Sequence, residues 1–125
     1  MAEMRVLVGT KDYANSTAFY RQLLRFPVQE EWDAPDGRGT LFATGGGVIE
    51  VIEDSPHHPA ETPRGVSVSI EVADVDELHT RLAGAGVAPT DPLANRPWGH
   101  RSFAIQDPSG LPLIFFQVLE GAAAA

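Results

Sequence analysis

The sequence predicts an α+β fold made of two copies of a β-α-β-β-β module. Twice, an apolar strand candidate runs into an amphipathic helix capped by aspartate, at Thr10-Lys11-Asp12 and at Val72-Ala73-Asp74. Each helix is followed by three short strand candidates, and the last is apolar in both halves, VIEVIE in one and LIFFQ in the other. Because one half buries too little surface alone, we expect the two βαβββ modules to pair edge to edge. The product would be a curved mixed sheet with the helices outside.

Module one covers about residues 4–53. Its first strand is predicted at Met4–Gly9 and its helix at Tyr13–Arg25, where apolar residues recur at helical spacing and Pro27 stops the helix. A Pro-Asp-Gly turn and a run of three glycines then separate three strand candidates. These strands are predicted at Val28–Asp33, Thr40–Ala43 and Val48–Glu53.

Module two covers about residues 66–119 and follows a linker, residues 54–65, that contains three prolines. Val66–Val72 alternates as a strand does, and a helix is predicted at Val75–Ala85, before a glycine break. The strands that follow are predicted at Val87–Thr90, Gly99–Gln106 and Leu111–Leu119, with a frayed tail at 120–125. At 125 residues, the chain is expected to form a single domain.

Composition excludes several classes of function. The chain has no cysteine, so it can form neither a disulfide nor a thiolate metal site. A net charge of −8 repels phosphate backbones, which argues against nucleic-acid binding. No signal peptide and no long apolar stretch is visible, so we predict a cytoplasmic protein with no membrane contact. The acidic charge favours a cationic ligand or partner, or it serves only solubility.

Three stretches of the chain resemble the vicinal-oxygen-chelate superfamily in order and spacing. They are VLVGTKDYANSTAFYRQLL, VSVSIEVADVDELHTRLAGAGV and PWGHRSFAIQDPSG. The superfamily contains glyoxalase I, ring-cleaving dioxygenases, and the bleomycin and mitomycin resistance proteins. The resemblance implies paired βαβββ modules, a cleft lined by the concave sheet, and a homodimer.

The resemblance also indicates where a metal would be held. The four positions that metal-dependent members share fall here on Arg5, Glu50, Ser67 and Ile114. A divalent metal needs several lone-pair donors, but isoleucine offers none, serine is a poor ligand and arginine adds a competing positive charge. We therefore predict no metal and no cofactor, and a closer similarity to the metal-free antibiotic-binding branch. Glu50 and Arg5 could form an ion pair, or Glu50 could hold a cationic ligand.

Two tryptophans are candidates for binding a planar ligand. Trp98 comes just before a predicted strand, at the expected mouth of the cleft, and Trp32 lies on the second strand of module one. Antibiotic-binding members of the superfamily are similar in stacking planar ligands on aromatic side chains, which offer large contact area at little cost in rotamer entropy. The alternative for Trp98 is packing at an interface or a module boundary.

Alternation along the strands adds further candidates. Phe116 shares a sheet face with Ile114 and is expected to line the cleft, whereas Phe115 should pack under a helix. Phe42 is a further candidate for the cleft wall. His100 is the histidine expected near the cleft, where it could donate a hydrogen bond to a ligand or act as a base.

These observations predict a metal-free small-molecule-binding protein that sequesters a cationic or planar antibiotic-like ligand, of which bleomycin and mitomycin types are examples. One alternative is a glyoxalase-like lyase or isomerase, or a dioxygenase, with atypical metal ligands. Another is a metal-free enzyme that uses Glu50 or His100 as base. A third is a regulatory or immunity partner in a biosynthetic pathway.

Overall fold

Two units with the same order of elements make up the fold, which a computed structural model describes for residues 2–121. The first unit runs to Arg64 and also contains the turn Asp107–Gly110, and the second contains Gly65–Gln106 and the chain from Leu111 onwards. Each unit has one four-stranded mixed sheet and one helical segment. The predicted α+β class and its two β-α-β-β-β modules are confirmed. Most of the predicted frayed tail lies outside the described residues.

The first unit follows the predicted order of strands and helix. Asp12 caps helix α1, Tyr13–Ala18, because its carboxylate accepts a hydrogen bond from the backbone N–H of Asn15. The helix continues as a π-helical turn, Phe19–Leu23, and ends at Arg25, which has a φ of 59°. The strands are β1 Arg5–Thr10, β2 Val28–Ala34, β3 Gly37–Ala43 and β4 Val48–Glu53, in the order β1-β4-β3-β2.

The second unit differs from the sequence prediction at one strand. The predicted strand Val87–Thr90 is wrong, since these residues form no strand and pairing begins at Asp91. Pro92 is tolerated there because this strand lies at the edge of the sheet. The elements are β5 Val68–Glu71, α2 Val75–Gly84, β6 Asp91–Asn95, β7 His100–Gln106 and β8 Pro112–Val118, with sheet order β5-β8-β7-β6.

The two units share strand register as well as strand order. In the first, Leu7 pairs with Glu50 between parallel strands β1 and β4. In the second, Ser69 pairs with Ile114 between the parallel strands β5 and β8. Glu50 and Ile114 are therefore equivalent positions of the repeat.

Strand alternation gives the sheet of the first unit one face that packs against the helix and one that does not. Val8, Phe42 and Val51 lie on the helix-packed face and are buried. We call the opposite side the helix-free face. It carries Arg5, Leu7 and Gly9 on β1, Glu30 and Trp32 on β2, Gly39, Leu41 and Ala43 on β3, and Val48, Glu50 and Ile52 on β4.

The second unit is divided in the same way. Phe115 is fully buried against Phe103, and His79 of α2 packs edge-on against the Phe103 ring. Ile114 and Phe116 point to the opposite side, as alternation along β8 predicts. Within residues 2–121, no helix is long and apolar enough to span a membrane.

A buried hydrogen bond connects the helical segment of the first unit with its turn at residues 107–110. The Tyr20 hydroxyl donates to Asp107 Oδ2 at 2.6 Å, and both side chains are buried. The other oxygen, Oδ1, accepts from the Ser109 backbone N–H at 2.9 Å and from its hydroxyl at 2.7 Å. The Tyr20 ring stacks on Phe42 with centroids 5.5 Å apart. Burial, reinforced by the Asp107 carboxylate, raises the pKa of Tyr20 well above its ordinary value.

We predict that Tyr20→Phe lowers the free energy of unfolding at pH 7 by about 1–3 kcal/mol, because Asp107 would lose a buried donor. The variant should also lose part of the alkaline dependence of stability. The pKa of Tyr20 is higher in the folded chain, so its contribution is complete below the unfolded pKa near 10. Above that pH only the unfolded chain releases the proton, and stability falls by about 1.4 kcal/mol per pH unit.

Urea unfolding of both proteins between pH 8 and 11 measures this difference. The slope above pH 10 should be steeper for the wild type than for Tyr20→Phe. Equal slopes would show that the Tyr20 hydroxyl ionises equally easily in the folded and unfolded chain, contrary to this prediction.

Candidate ligand-binding site

Arg5 and Glu50 form the ion pair that the sequence left open, on the helix-free face of the first unit. Arg5 Nη1 donates to Glu50 Oε1 at 3.3 Å, and the Glu50 side chain is only 13% exposed. Arg5 Nε also donates to Glu3, and Gln29 Nε2 donates to the other Glu3 oxygen at 3.2 Å. The hydrogen bond from Arg5 lowers the pKa of Glu3, and the bonds to Glu3 and Glu50 raise the pKa of Arg5. The charge of Glu50 is therefore already compensated within the chain.

Trp32 projects from β2 on the same face and rests on a glycine. It pairs with Gly39 of β3, and an added Cβ at Gly39 would overlap the carbons of the indole ring. The side chain remains 36% exposed. Because Gly39 has no side chain, the indole lies directly against the backbone, which restricts its orientation while leaving part of its surface open to solvent.

Glu30 lies two residues before Trp32 on the same face, and sequence reasoning missed it. The cross-strand pairs place Glu30, Leu41 and Glu50 in one row across the sheet. Leu41, between the two carboxylates, is fully buried, whereas Glu30 is exposed. Alternation along the predicted second strand was a signal that could have found Glu30, since residues i and i+2 share a face.

Phe42 is not on an accessible wall, and this corrects the sequence-based expectation. Its ring is fully buried on the helix-packed face, between Tyr20, which stacks on it, and Arg21, whose guanidinium lies 5.9 Å from the ring centroid. A shift of one residue along a strand reverses the face, and Leu41 occupies the helix-free position instead. Phe42 therefore belongs to the core.

The second unit presents a smaller aromatic group on its own helix-free face. The His100 ring stacks on Phe116 with centroids 4.4 Å apart and planes inclined by 14°. Trp98 lies in the turn between β6 and β7 and is 56% exposed. Ile114 lies on the same face as Phe116, and Ser67 is an exposed residue just before β5. His100 thus has an aromatic neighbour, whereas Trp98 is an exposed side chain in a turn.

A separate cleft of about 350 Å³ lies in the first unit, away from these side chains. It is formed by the end of β1, the start of α1, residues 60–62 and the turn at 108–109. None of the residues predicted to bind ligand lines it. The residues that the sequence predicts to bind a ligand therefore lie outside this cleft.

Comparison of the sequence with models of protein families shows which superfamily the chain belongs to. The sequence model of the Glyoxalase/Bleomycin resistance protein/Dioxygenase superfamily matches residues 4–115. The chain belongs to this superfamily. No protein of curated description matches it.

Solved structures of the superfamily fold agree with this assignment. TioX from Micromonospora sp. ML1 aligns with a TM-score of 0.75 and 24% identity, covering 95% of this chain and 100% of that one. TnmS3, an antibiotic binding protein from Streptomyces sp. CB03234, aligns with a TM-score of 0.75 and 26% identity, covering 94% and 96%. Lactoylglutathione lyase from Agrobacterium tumefaciens aligns with a TM-score of 0.68 and 19% identity, covering 93% and 92%.

The residues at the superfamily's metal positions do not fit a metal ion in this chain. Glu50 is bound to Arg5, whose guanidinium brings a positive charge to the same place. Ile114 has no donor atom, and Ser67 lies outside strand β5. Among residues 2–121 no three His, Asp or Glu side chains lie together as a metal site requires.

The packing of the Trp32 indole against Gly39 can be tested by adding a single methyl group at residue 39. In a Trp98→Phe background, where Trp32 is the remaining tryptophan, Gly39→Ala should push the indole off the sheet and move its emission to longer wavelength. We expect a loss of about 1–3 kcal/mol of stability from the overlap. Gly46→Ala is the matched control, because a Cβ there meets nothing within 4 Å, and it should change stability by less than about 0.5 kcal/mol. An unchanged emission maximum in Gly39→Ala would contradict this packing.

Proposed function

We propose that this protein binds and sequesters a planar, cationic, antibiotic-like small molecule, and that it does so without a metal or cofactor. The observation that carries the proposal is the exposed indole of Trp32 seated on Gly39 on a helix-free sheet face. The likeness to TnmS3, which is described as an antibiotic binding protein, supports the same class of function. Sequestration requires affinity only, so a site without catalytic groups is sufficient.

The physical basis is stacking of the ligand on an indole whose orientation is already restricted. A tryptophan that packs against the backbone loses little rotamer freedom when a ligand binds, so more of the contact energy contributes to affinity. The net charge of −8 raises the local concentration of a cationic ligand and speeds its association. Arg5 and Glu50 form the polar part of this surface in our proposal.

The helix-free face of the second unit is proposed as a further contact surface. The stacked pair of His100 and Phe116 offers aromatic area, Ile114 adds apolar area, and Trp98 and Ser67 lie at its margins. We also propose a homodimer in the cytoplasm, as the superfamily resemblance suggests. Light scattering during size-exclusion chromatography measures the oligomeric state directly.

The enzymatic alternatives have less support. Glu50 is poorly placed to act as a general base, because its carboxylate is already hydrogen-bonded to the Arg5 guanidinium. His100 has no carboxylate among its described hydrogen-bond and ion-pair partners that could orient it as a base. The likeness to lactoylglutathione lyase, at 19% identity, extends to the fold alone. Binding remains the proposal that the site supports best.

Calorimetric titration against a panel of planar drugs, some cationic and some neutral, tests the binding function. We expect at least one planar cation to bind, and Trp32→Ala to weaken it by about 5- to 30-fold, the equivalent of about 1–2 kcal/mol of stacking and contact area. Trp98→Ala should weaken binding less, since Trp98 lies at the tip of a turn. A folded protein that binds no member of the panel would refute the proposal.

Binding should also be independent of divalent metal. Protein purified without chelators should contain substoichiometric metal by elemental analysis, and EDTA should leave the dissociation constant of the best panel ligand unchanged. The donor set at Arg5, Glu50, Ser67 and Ile114 is the reason for this expectation. One metal ion per chain, with affinity lost after its removal, would favour the enzymatic alternatives.

A further inference from the structure

Strand β2 carries three acidic residues, and alternation divides them between two different surroundings. Glu31 and Asp33 point to the helix-packed face, where Arg21 lies 3.0 Å from Glu31 and the charge of Arg38 acts on Asp33. Glu30 points to the helix-free face together with Trp32. Two of the three acids thus have a cationic neighbour supplied by the fold.

Within residues 2–121, no cationic side chain forms an ion pair with Glu30. The strands of the first unit contain two cationic side chains, Arg5 and Arg38. Arg38 is on the helix-packed face, where it binds Glu53 at 2.6 Å and lies over the Tyr13 ring. Arg5 is on the helix-free face but is already shared by Glu3 and Glu50. Among the described residues, Glu30 is left as the uncompensated carboxylate beside the exposed indole.

We propose that Glu30 is the specificity-determining residue of the site, and that it binds the cationic group of the ligand while Trp32 stacks on the planar part. This inference rests on the proposed function and assigns the anionic role to Glu30 instead of Glu50. A carboxylate with no internal partner gives up only water when a cation binds, whereas Glu50 would first have to lose part of its pairing with Arg5.

The spacing of Glu30 and Trp32 along the strand limits which ligands can contact both side chains. Residues i and i+2 on one strand are about 6.6–6.8 Å apart along the sheet, so the ammonium or guanidinium should lie roughly that far from the stacked ring system. The expected ligand class is therefore a fused aromatic ring system with a cationic group on a short arm. A cation fixed inside the ring plane would contact Trp32 without reaching the carboxylate of Glu30.

Doxorubicin and its N-acetyl derivative form a suitable probe pair, because acetylation removes the positive charge and keeps the planar rings. Quenching of Trp32 fluorescence in the Trp98→Phe background measures both dissociation constants. We expect Glu30→Gln to weaken doxorubicin about 3- to 10-fold and to leave the N-acetyl derivative within about 2-fold. The loss should shrink as salt rises, since Glu30 is exposed.

Two matched variants make the assignment specific. Glu31→Gln removes the adjacent charge on the opposite face and should leave both ligands unaffected. Glu50→Gln should weaken doxorubicin less than Glu30→Gln does. Thermal unfolding of each variant reports whether the fold is intact.

The outcomes separate this inference from the function on which it rests. If the wild type binds neither probe, the proposed function fails for this ligand class, and the role of Glu30 fails with it. If both probes bind and Glu30→Gln behaves like Glu31→Gln, or if Glu50→Gln has the larger effect on doxorubicin, the inference alone is overturned. A loss confined to doxorubicin in Glu30→Gln supports it.

Discussion

Each strand of this protein has to satisfy two surroundings at once, because successive side chains point to opposite faces of the sheet. On β4 this alternation buries Val51 under the helix of the first unit and presents Glu50 on the helix-free face. On β8 it buries Phe115 against Phe103 and presents Phe116 to the other side. Core and candidate site are therefore interleaved along the same strands, and a one-residue shift in register would exchange them.

The same alternation explains how the acidic charge is distributed in the first unit. On β2 the acids that face the helix meet arginines, whereas Glu30 shares its face with Trp32. At a position where the superfamily resemblance would place a metal, Arg5 supplies a fixed positive charge beside Glu50. In our proposal this face, with the paired Glu50, the exposed Glu30 and the exposed indole of Trp32, recognises a cation by charge and shape.

A buried polar contact lies among the aromatic core residues of the first unit. Tyr20 reaches Asp107, 87 positions later in the chain, and the serine of the same turn satisfies the second carboxylate oxygen. A buried carboxylate costs free energy unless it is hydrogen-bonded, so this network has to form completely. It stabilises the helix whose packing defines which face of the sheet remains open.

The amino-acid sequence by itself determined the α+β class, the repeat of two modules and most strand positions, because periodicity and aspartate caps are local signals. The superfamily resemblance placed the metal positions on Arg5, Glu50, Ser67 and Ile114, and the residue types at these positions are poor metal ligands. Tertiary structure decided what depends on partners in space. In the structure Phe42 lies in the core and Arg5 pairs with Glu50. The strand predicted at Val87–Thr90 is instead found at Asp91–Asn95. Tertiary structure also seated Trp32 on Gly39 beside Glu30, because register between strands that are distant in sequence fixes which side chains become neighbours.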